Sequence, residues 1–413
     1  MNLPAPQQPD RDAADATFDG IICIGGEDWW YHNRGHFDFQ VMRRLARRWP
    51  VLFVNSIGVR FPTLGGDRAR QQVFAARISR KLRSLSRGLV HVENGFHVYS
   101  PVIVPGRAGR LASGWALAPQ IRVAARRLGI ERPLLWIHCP PGASLIGSLG
   151  EVAVVLQRTD RFEAFPEGDS RQLGQLIGRL KQRADLVVYC NDELRASEAV
   201  EVRRSLLVTH GVELERFSAA GDQPGPWPAD IDALPRPRAV FVGGVDHHTF
   251  DSDLFNGVAG QLPGVSFALV GGCSLPQGWC PHRNVHLLGR KPYDEVDRYM
   301  AAADVLIMPW NDSEWIRACN PIKLKEYLAV GRPVVTTDFP ALAPYRCLVR
   351  VARGADEFAA MMRSALSTAA DKSQQRNAIA GESWDAKADL IADEFAAMGL
   401  TWSATPSIRG AAA

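Results

Sequence analysis

Short apolar runs alternate along this chain with longer stretches whose apolar residues recur at helical spacing. The first run, 18–24, ends in Gly25-Gly26; an amphipathic stretch follows over 38–48, then a second run at 51–55. Further runs stand at 134–138, 152–157 and 186–190, the last preceded by an amphipathic stretch over 170–183. Unbroken apolar runs of this length suit strands buried on both faces, and their alternation with helices predicts a parallel, doubly wound sheet.

The pattern then restarts. A run at 239–242 ends in Gly243-Gly244, a helix is predicted over 251–261, and a run at 266–270 ends in Gly271-Gly272. After a strand at 285–288 come a helix over 293–303, a strand at 305–308, a helix over 322–330 and a strand at 333–336. A last amphipathic helix is expected over 384–398. Between the halves, 218–229 (SAAGDQPGPWPA) is dense in Pro and Gly and predicts a linker. The expected organisation is therefore α/β: a disordered N-terminus (1–17), a Rossmann-like domain (18–217), a linker (218–236), a second Rossmann-like domain (237–383), a C-terminal helix (384–400) and a disordered tail (401–413). Two such domains would face a cleft at the carboxyl ends of their strands, where such sheets bind ligands.

Composition narrows the classes. The length of 413 residues fits two domains. Seven scattered cysteines without a CxxC pair argue against a disulfide framework or structural zinc, and for a reducing, cytoplasmic setting. No apolar run reaches the roughly 18 residues of a bilayer span, and the polar start lacks a signal peptide's apolar core.

Charge adds a further clue. The net charge is only +4, yet residues 39–130 carry 17 Lys and Arg against two acidic residues. Such a field attracts phosphate-bearing partners. Nucleic acid is not the expected one, because no zinc-finger, helix-turn-helix or RNA-binding signature accompanies the arginines. Within 68–87, Val73, Phe74, Ile78, Leu82 and Leu85 share a helical face ringed by Arg70, Arg77, Arg80, Lys81, Arg83 and Arg87. A basic amphipathic helix of this kind suits an anionic membrane surface; the plainer alternative is a solvated helix packed on its own domain.

The densest chemistry lies in NPIKLKEYLAVGRPVVTTD (320–338). Pro321 suits the first turn of a helix, and the free N–H groups there form an anion site. Lys323 adds a charge in that turn, and Glu326 shares its face, placed to take the hydroxyls of a ribose beyond a bound phosphate. Alternatively the two form a surface ion pair.

Here the residues resemble a known family. VGGVDHHTFDSDLF (242–255), NVHLLGRKPYDEVDRYMAAADVLIMPW (284–310) and NPIKLKEYLAVGRPVVTTD are similar, in order and spacing, to the donor domain of GT-B glycosyltransferases. The resemblance is to the broad family 4 and its exopolysaccharide and teichuronic-acid relatives. THGVELERF (209–217) and GHFDFQVMRRLARRWPVLFVNS (35–56) resemble parts of the acceptor domain. The resemblance implies a hexosyltransferase using a nucleotide-diphosphate sugar, with no metal or other cofactor. It implies that Lys323 holds the pyrophosphate and assists catalysis, and that Glu326 binds the ribose. Gly243, Gly244, Asn320, Pro321 and Ile322 would line the donor site, and Arg290 and Tyr293 the base.

Two positions depart from the family pattern. Ala318 stands where a Glu is common, and Asp246-His247-His248 replaces the usual Arg and Lys. His247 and His248 become candidate donor contacts, and the stereochemistry of transfer is left open. For an inverting enzyme the general base would be Asp160, with Glu27 and Asp28 next. Gly26, Trp30, Arg34 and His36 form a candidate acceptor cluster, equally readable as a loop under the first helix. The acceptor would be a hydroxyl of a lipid-linked or polymeric glycan, at the inner face of the plasma membrane. Competing readings are a nucleotide-sugar 2-epimerase on the same scaffold and a non-catalytic glycan-binding scaffold.

Overall fold

The computed structural model describes residues 16–32, 34–57, 83–102, 106–159, 161, 170–320 and 322–403. The chain divides into two compact units, one of residues 1–208 with 388–413 and the other of 209–387.

The first unit contains β1 (Ala16–Phe18), β2 (Gly20–Ile24), α1 (Phe37–Leu45), β3 (Val51–Val54), β4 (Leu89–Glu93), β5 (Phe96–Tyr99) and α2 (Gly106–Arg126). It continues through β6 (Pro133–Ile137), β7 (Ala153–Arg158), α3 (Ser170–Arg183), β8 (Leu186–Tyr189) and β9 (Ser205–Leu207). Its main sheet runs β4-β5-β3-β2-β6-β7-β8-β9, parallel throughout except for the β4–β5 hairpin. Every residue of β2, β3, β6 and β7 is buried, which is why these strands read as unbroken apolar runs.

The second unit opens with α4 (Leu214–Asp222) and continues with β10 (Arg238–Val242), α5 (Ser252–Gln261), β11 (Ser266–Val270), β12 (Val285–Gly289) and β13 (Val305–Met308). Then come α6 (Glu314–Ala318), α7 (Ile322–Val330), β14 (Val334–Thr337) and β15 (Arg350–Ala352). Its sheet, β12-β11-β10-β13-β14-β15, is wholly parallel. In both units the chain builds outward from one central strand, returns, and builds the other way. The reversals fall between β2 and β6 and between β10 and β13, the points where doubly wound sheets open toward ligands.

Two expectations give way. Residues 218–236 are not a free linker. They include most of α4 and the turn Ala229–Asp232, with Ala220 and Ile231 buried in the second unit's core beside Phe217. The Pro and Gly there shape corners, and these apolar anchors fasten the segment. The C-terminal helix α8 (Trp384–Ala397) leads into β16 (Leu400–Trp402), which pairs in parallel with β1, so the edges assigned to disordered ends hold a small sheet.

Candidate functional site

The first turn of α7 is set by packing. Leu324, Tyr327 and Leu328 are buried against the sheet, and the Tyr327 hydroxyl accepts the Val242 N–H at 2.9 Å. That bond ties the helix to the end of β10. Gly331, at φ +79°, ends the helix and turns the chain into β14.

Two lysines of α7, two residues apart, have opposite surroundings. Lys325 is buried and fully compensated: its ammonium lies 2.5 Å from a Glu382 oxygen and also donates to the His210 carbonyl. Lys323 is half-buried and has no hydrogen-bond or ion-pair partner among the described residues. Its Nζ crowds the space where a Cβ on Gly243 would stand, so glycine there lets the ammonium settle against the backbone. Burial pushes the Lys323 ammonium below its ordinary range, against the opposing pull of Glu326 and Asp246. The surface ion pair with Glu326 that the sequence allowed is absent.

Glu326 is 4% exposed, and Tyr293 donates its hydroxyl to Oε1 at 3.2 Å. Burial lifts its carboxyl to about 7, although Tyr293, Lys323 and Arg216 all favour the charged form. Arg216 braces this corner from α4. It pairs with Glu213 at 2.8 Å and Asp297 at 3.2 Å, donates to the Tyr293 carbonyl, and stacks its guanidinium 4.7 Å from the Tyr293 ring centre. The sequence reading missed Arg216; its i,i+3 spacing from Glu213 was the available signal.

The remaining donor candidates gather around the ends of β10 to β13. Asn320 has a buried carboxamide oxygen with no hydrogen-bond partner among the described residues. Arg290 is exposed, carries no ion pair among the described residues, and lays its Nε 2.7 Å from a would-be Cβ on Gly272. Asp246 folds its own loop, accepting the backbone N–H groups of His248 and Thr249 at 2.9 and 3.0 Å. This leaves His247 and His248 exposed, held through their carbonyls by Asn311 and Ser313. Gly244 abuts the Asp246 carboxylate, and Ile322 is half-buried in the first turn of α7. Pro321 lies outside the described residues. Among the described residues, no group of three or more His, Cys, Asp or Glu side chains is placed to hold a metal ion.

The first unit has its own polar centre at the β2–β6 switch point. Asp38, fully buried at the start of α1, accepts the Gly26 N–H at 3.1 Å and contacts His138 Nδ1 at 3.1 Å. His138 Nε2 meets Thr159 Oγ1 at 3.1 Å. Burial acts to raise the Asp38 carboxyl, but the charge and hydrogen bond of His138 more than offset this and hold it low. Neither residue stood out in the sequence, because 100 positions separate them. Gly26 lies against the His138 ring. Asp28 is already engaged: Oδ1 accepts the Trp30 N–H of its own loop at 3.0 Å, and Oδ2 accepts the hydroxyl of the distant Ser84 at 2.9 Å. Glu27 pairs with His32 at 2.9 Å. Trp30 is half-buried under the Arg87 guanidinium at 4.4 Å, whereas Trp29 turns inward and packs on Phe39 and Phe96. Arg34 and His36 are exposed at the entry to α1. Asp160 and most of the basic segment 68–87 lie outside the described residues.

This geometry has relatives. Residues 236–368, most of the second unit, match the family described as glycosyl transferases group 1. The chain is 31% identical over 236 residues to the putative teichuronic acid biosynthesis glycosyltransferase TuaH of Bacillus subtilis strain 168; this spans 51% of the chain and 57% of that protein. The chain thus matches little more than half of that relative's length. Among solved structures, sucrose-phosphate synthase of Thermosynechococcus elongatus superposes with a TM-score of 0.63 at 14% identity, covering 92% of this chain and 99% of that one. Anabaena Alr3699/HepE in complex with UDP gives 0.58 at 14%, covering 91% and 99%. The E. coli trehalose-6-phosphate protein bound with UDP-2-fluoro glucose gives 0.58 at 11%, covering 91% and 98%. The fold is GT-B, and the match to the group 1 glycosyl transferases falls within the second unit.

Proposed function

We propose that this glycosyltransferase homologue moves a hexose from a nucleoside-diphosphate sugar to a hydroxyl of a lipid-linked or polymeric glycan. The product would be a cell-surface polysaccharide, made at the inner face of an anionic membrane. One observation carries the reading: Lys323 is a half-buried cation with no hydrogen-bond or ion-pair partner among the described residues, held over Gly243 at the mouth of a parallel sheet. A cation kept out of water and unpaired is costly unless an anion visits it. The diphosphate of a sugar nucleotide supplies that charge, together with the free N–H groups of the first turn of α7.

The remaining groups fit the rest of the donor. Glu326, one turn on, accepts the two ribose hydroxyls, and Tyr293 and Arg216 fix its position. The Asn320 oxygen and Arg290, neither of them paired among the described residues, offer further polar contacts. Transfer breaks the bond from the anomeric carbon to the diphosphate and forms one to the acceptor oxygen, whose hydroxyl proton passes to the departing diphosphate. Lys323 lowers the barrier by stabilising the charge that collects on the departing diphosphate. Neighbours crystallised with UDP support a uridine donor, and the name of the TuaH relative supports a cell-envelope glycan.

Calorimetric titration with UDP and UDP-glucose tests this. Lys323→Ala is expected to weaken binding by about 10- to 100-fold, equivalent to about 1.4–2.8 kcal/mol, and to abolish turnover. Parent-like binding and turnover in Lys323→Ala would overturn the reading.

A further inference from the structure

The face of α2 turned away from the core has an unusual composition. Leu117, Ala118, Ile121, Ala124 and Ala125 are buried in the first unit. The opposite side presents Trp115, Pro119, Arg122, Val123 and Arg126, which fall at helical spacing on one arc of about 100°. Trp115 is 86% exposed and Val123 53%. Beside them Val102, 60% exposed, is held in place by a two-way hydrogen bond between its backbone and the Gln120 carboxamide, at 2.9 and 3.2 Å. A large indole standing in water beside two exposed valines is a surface that gains by being covered.

The charges around it say what covers it. Among the described residues, the exposed Arg126 and Arg127 have no ion-pair partner, and Arg122 donates only to the Ser148 carbonyl. No acidic residue occurs between Glu93 and Glu131. A protein partner would require its own acidic patch shaped around the indole. An anionic bilayer supplies negative charge and apolar depth together, and it takes an indole at its interface and arginine heads among its phosphates.

We propose that this face of α2 is a membrane-docking surface, with Trp115 and Val123 entering the lipid interface and Arg122, Arg126 and Arg127 meeting anionic headgroups. It deepens the membrane setting given under Proposed function and is independent of the transfer chemistry.

Co-sedimentation with phosphatidylcholine vesicles, with and without phosphatidylglycerol, tests it. The parent is expected to bind the anionic vesicles and release at high salt. Trp115→Ser with Val123→Ser, and separately Arg126→Glu with Arg127→Glu, should each weaken binding at least tenfold. Melting temperature and UDP binding should stay at the parent's values, since these side chains project into solvent. Parent-like vesicle binding by both double variants would overturn the surface while leaving a membrane setting intact. No vesicle binding by the parent would overturn both, and UDP titration would still judge the transferase reading. A parent dimer in light scattering that Trp115→Ser converts to monomer would assign the face to a second copy and overturn the proposal.

Discussion

The two units place a glycine pair at the same topological point and use it differently. In the first, the backbone of Gly25-Gly26 lets the His138 ring come close, and that ring is engaged at both nitrogens by Asp38 and Thr159. In the second, Gly243 admits the tip of Lys323, which makes no hydrogen bond or ion pair among the described residues. Burial of polar groups is common to both. A buried group with its partners in place organises the loop around it, whereas one left uncompensated is held ready for a ligand.

The contrast is broken most directly by deleting each group. His138→Ala should cost about 3–5 kcal/mol in urea denaturation, because it strands the Asp38 carboxylate in the core. Lys323→Ala should leave stability unchanged or higher while nucleotide binding falls. Equal losses from both would make Lys323 part of the scaffold.

Glu326 sharpens the same point through pH. Its carboxyl titrates at about 7 when folded, above the ordinary 4.5 expected in the unfolded chain. The proton it retains on folding favours the native state fully below about 4.5, and that contribution is lost as pH rises through 7. Glu326→Gln should therefore gain about 1–3 kcal/mol at pH 8 and nothing near pH 4.5. Since the ribose needs the ionised form as acceptor, the parent's nucleotide affinity should fall as pH drops through 7. A pH-independent difference between parent and variant would disprove the assignment.

Much of this corner was legible in the sequence. Unbroken apolar runs located the central strands because both faces of each strand are covered. Lys323, Glu326 and Tyr293 could be read from helix-start chemistry and the family likeness, since they lie near one another in the chain or in quoted motifs. Arg216 and the Asp38–His138 contact are tertiary: no periodicity links Arg216 to Asp297, or Asp38 to His138. Residues 218–236 misled for the opposite reason. Their Pro and Gly content resembles a linker, while the few apolar side chains that decide the matter, Ala220 and Ile231, are easily outvoted.

Smaller effects complete the series. Gly26→Ala should destabilise by about 1–2 kcal/mol, because the ring it meets is tethered on both sides. Gly243→Ala should act mainly on UDP affinity, since the tip of a lysine can swing away. His247→Ala and His248→Ala, both exposed, should change stability by less than about 0.5 kcal/mol. UDP titration of the same two proteins decides whether either touches the donor.

The pairing of β1 with β16 bears on how the protein is made. Residues 209–387 form one contiguous piece and can fold as soon as they leave the ribosome. The first unit is closed by strands on either side of that piece, Ala16–Phe18 and Leu400–Trp402, so β1 must wait until residues 400–402 have been synthesised. Until then Phe18 and Trp49, which pack edge to face, lack Phe395 beside them. The unit whose chain begins first is the last to be finished.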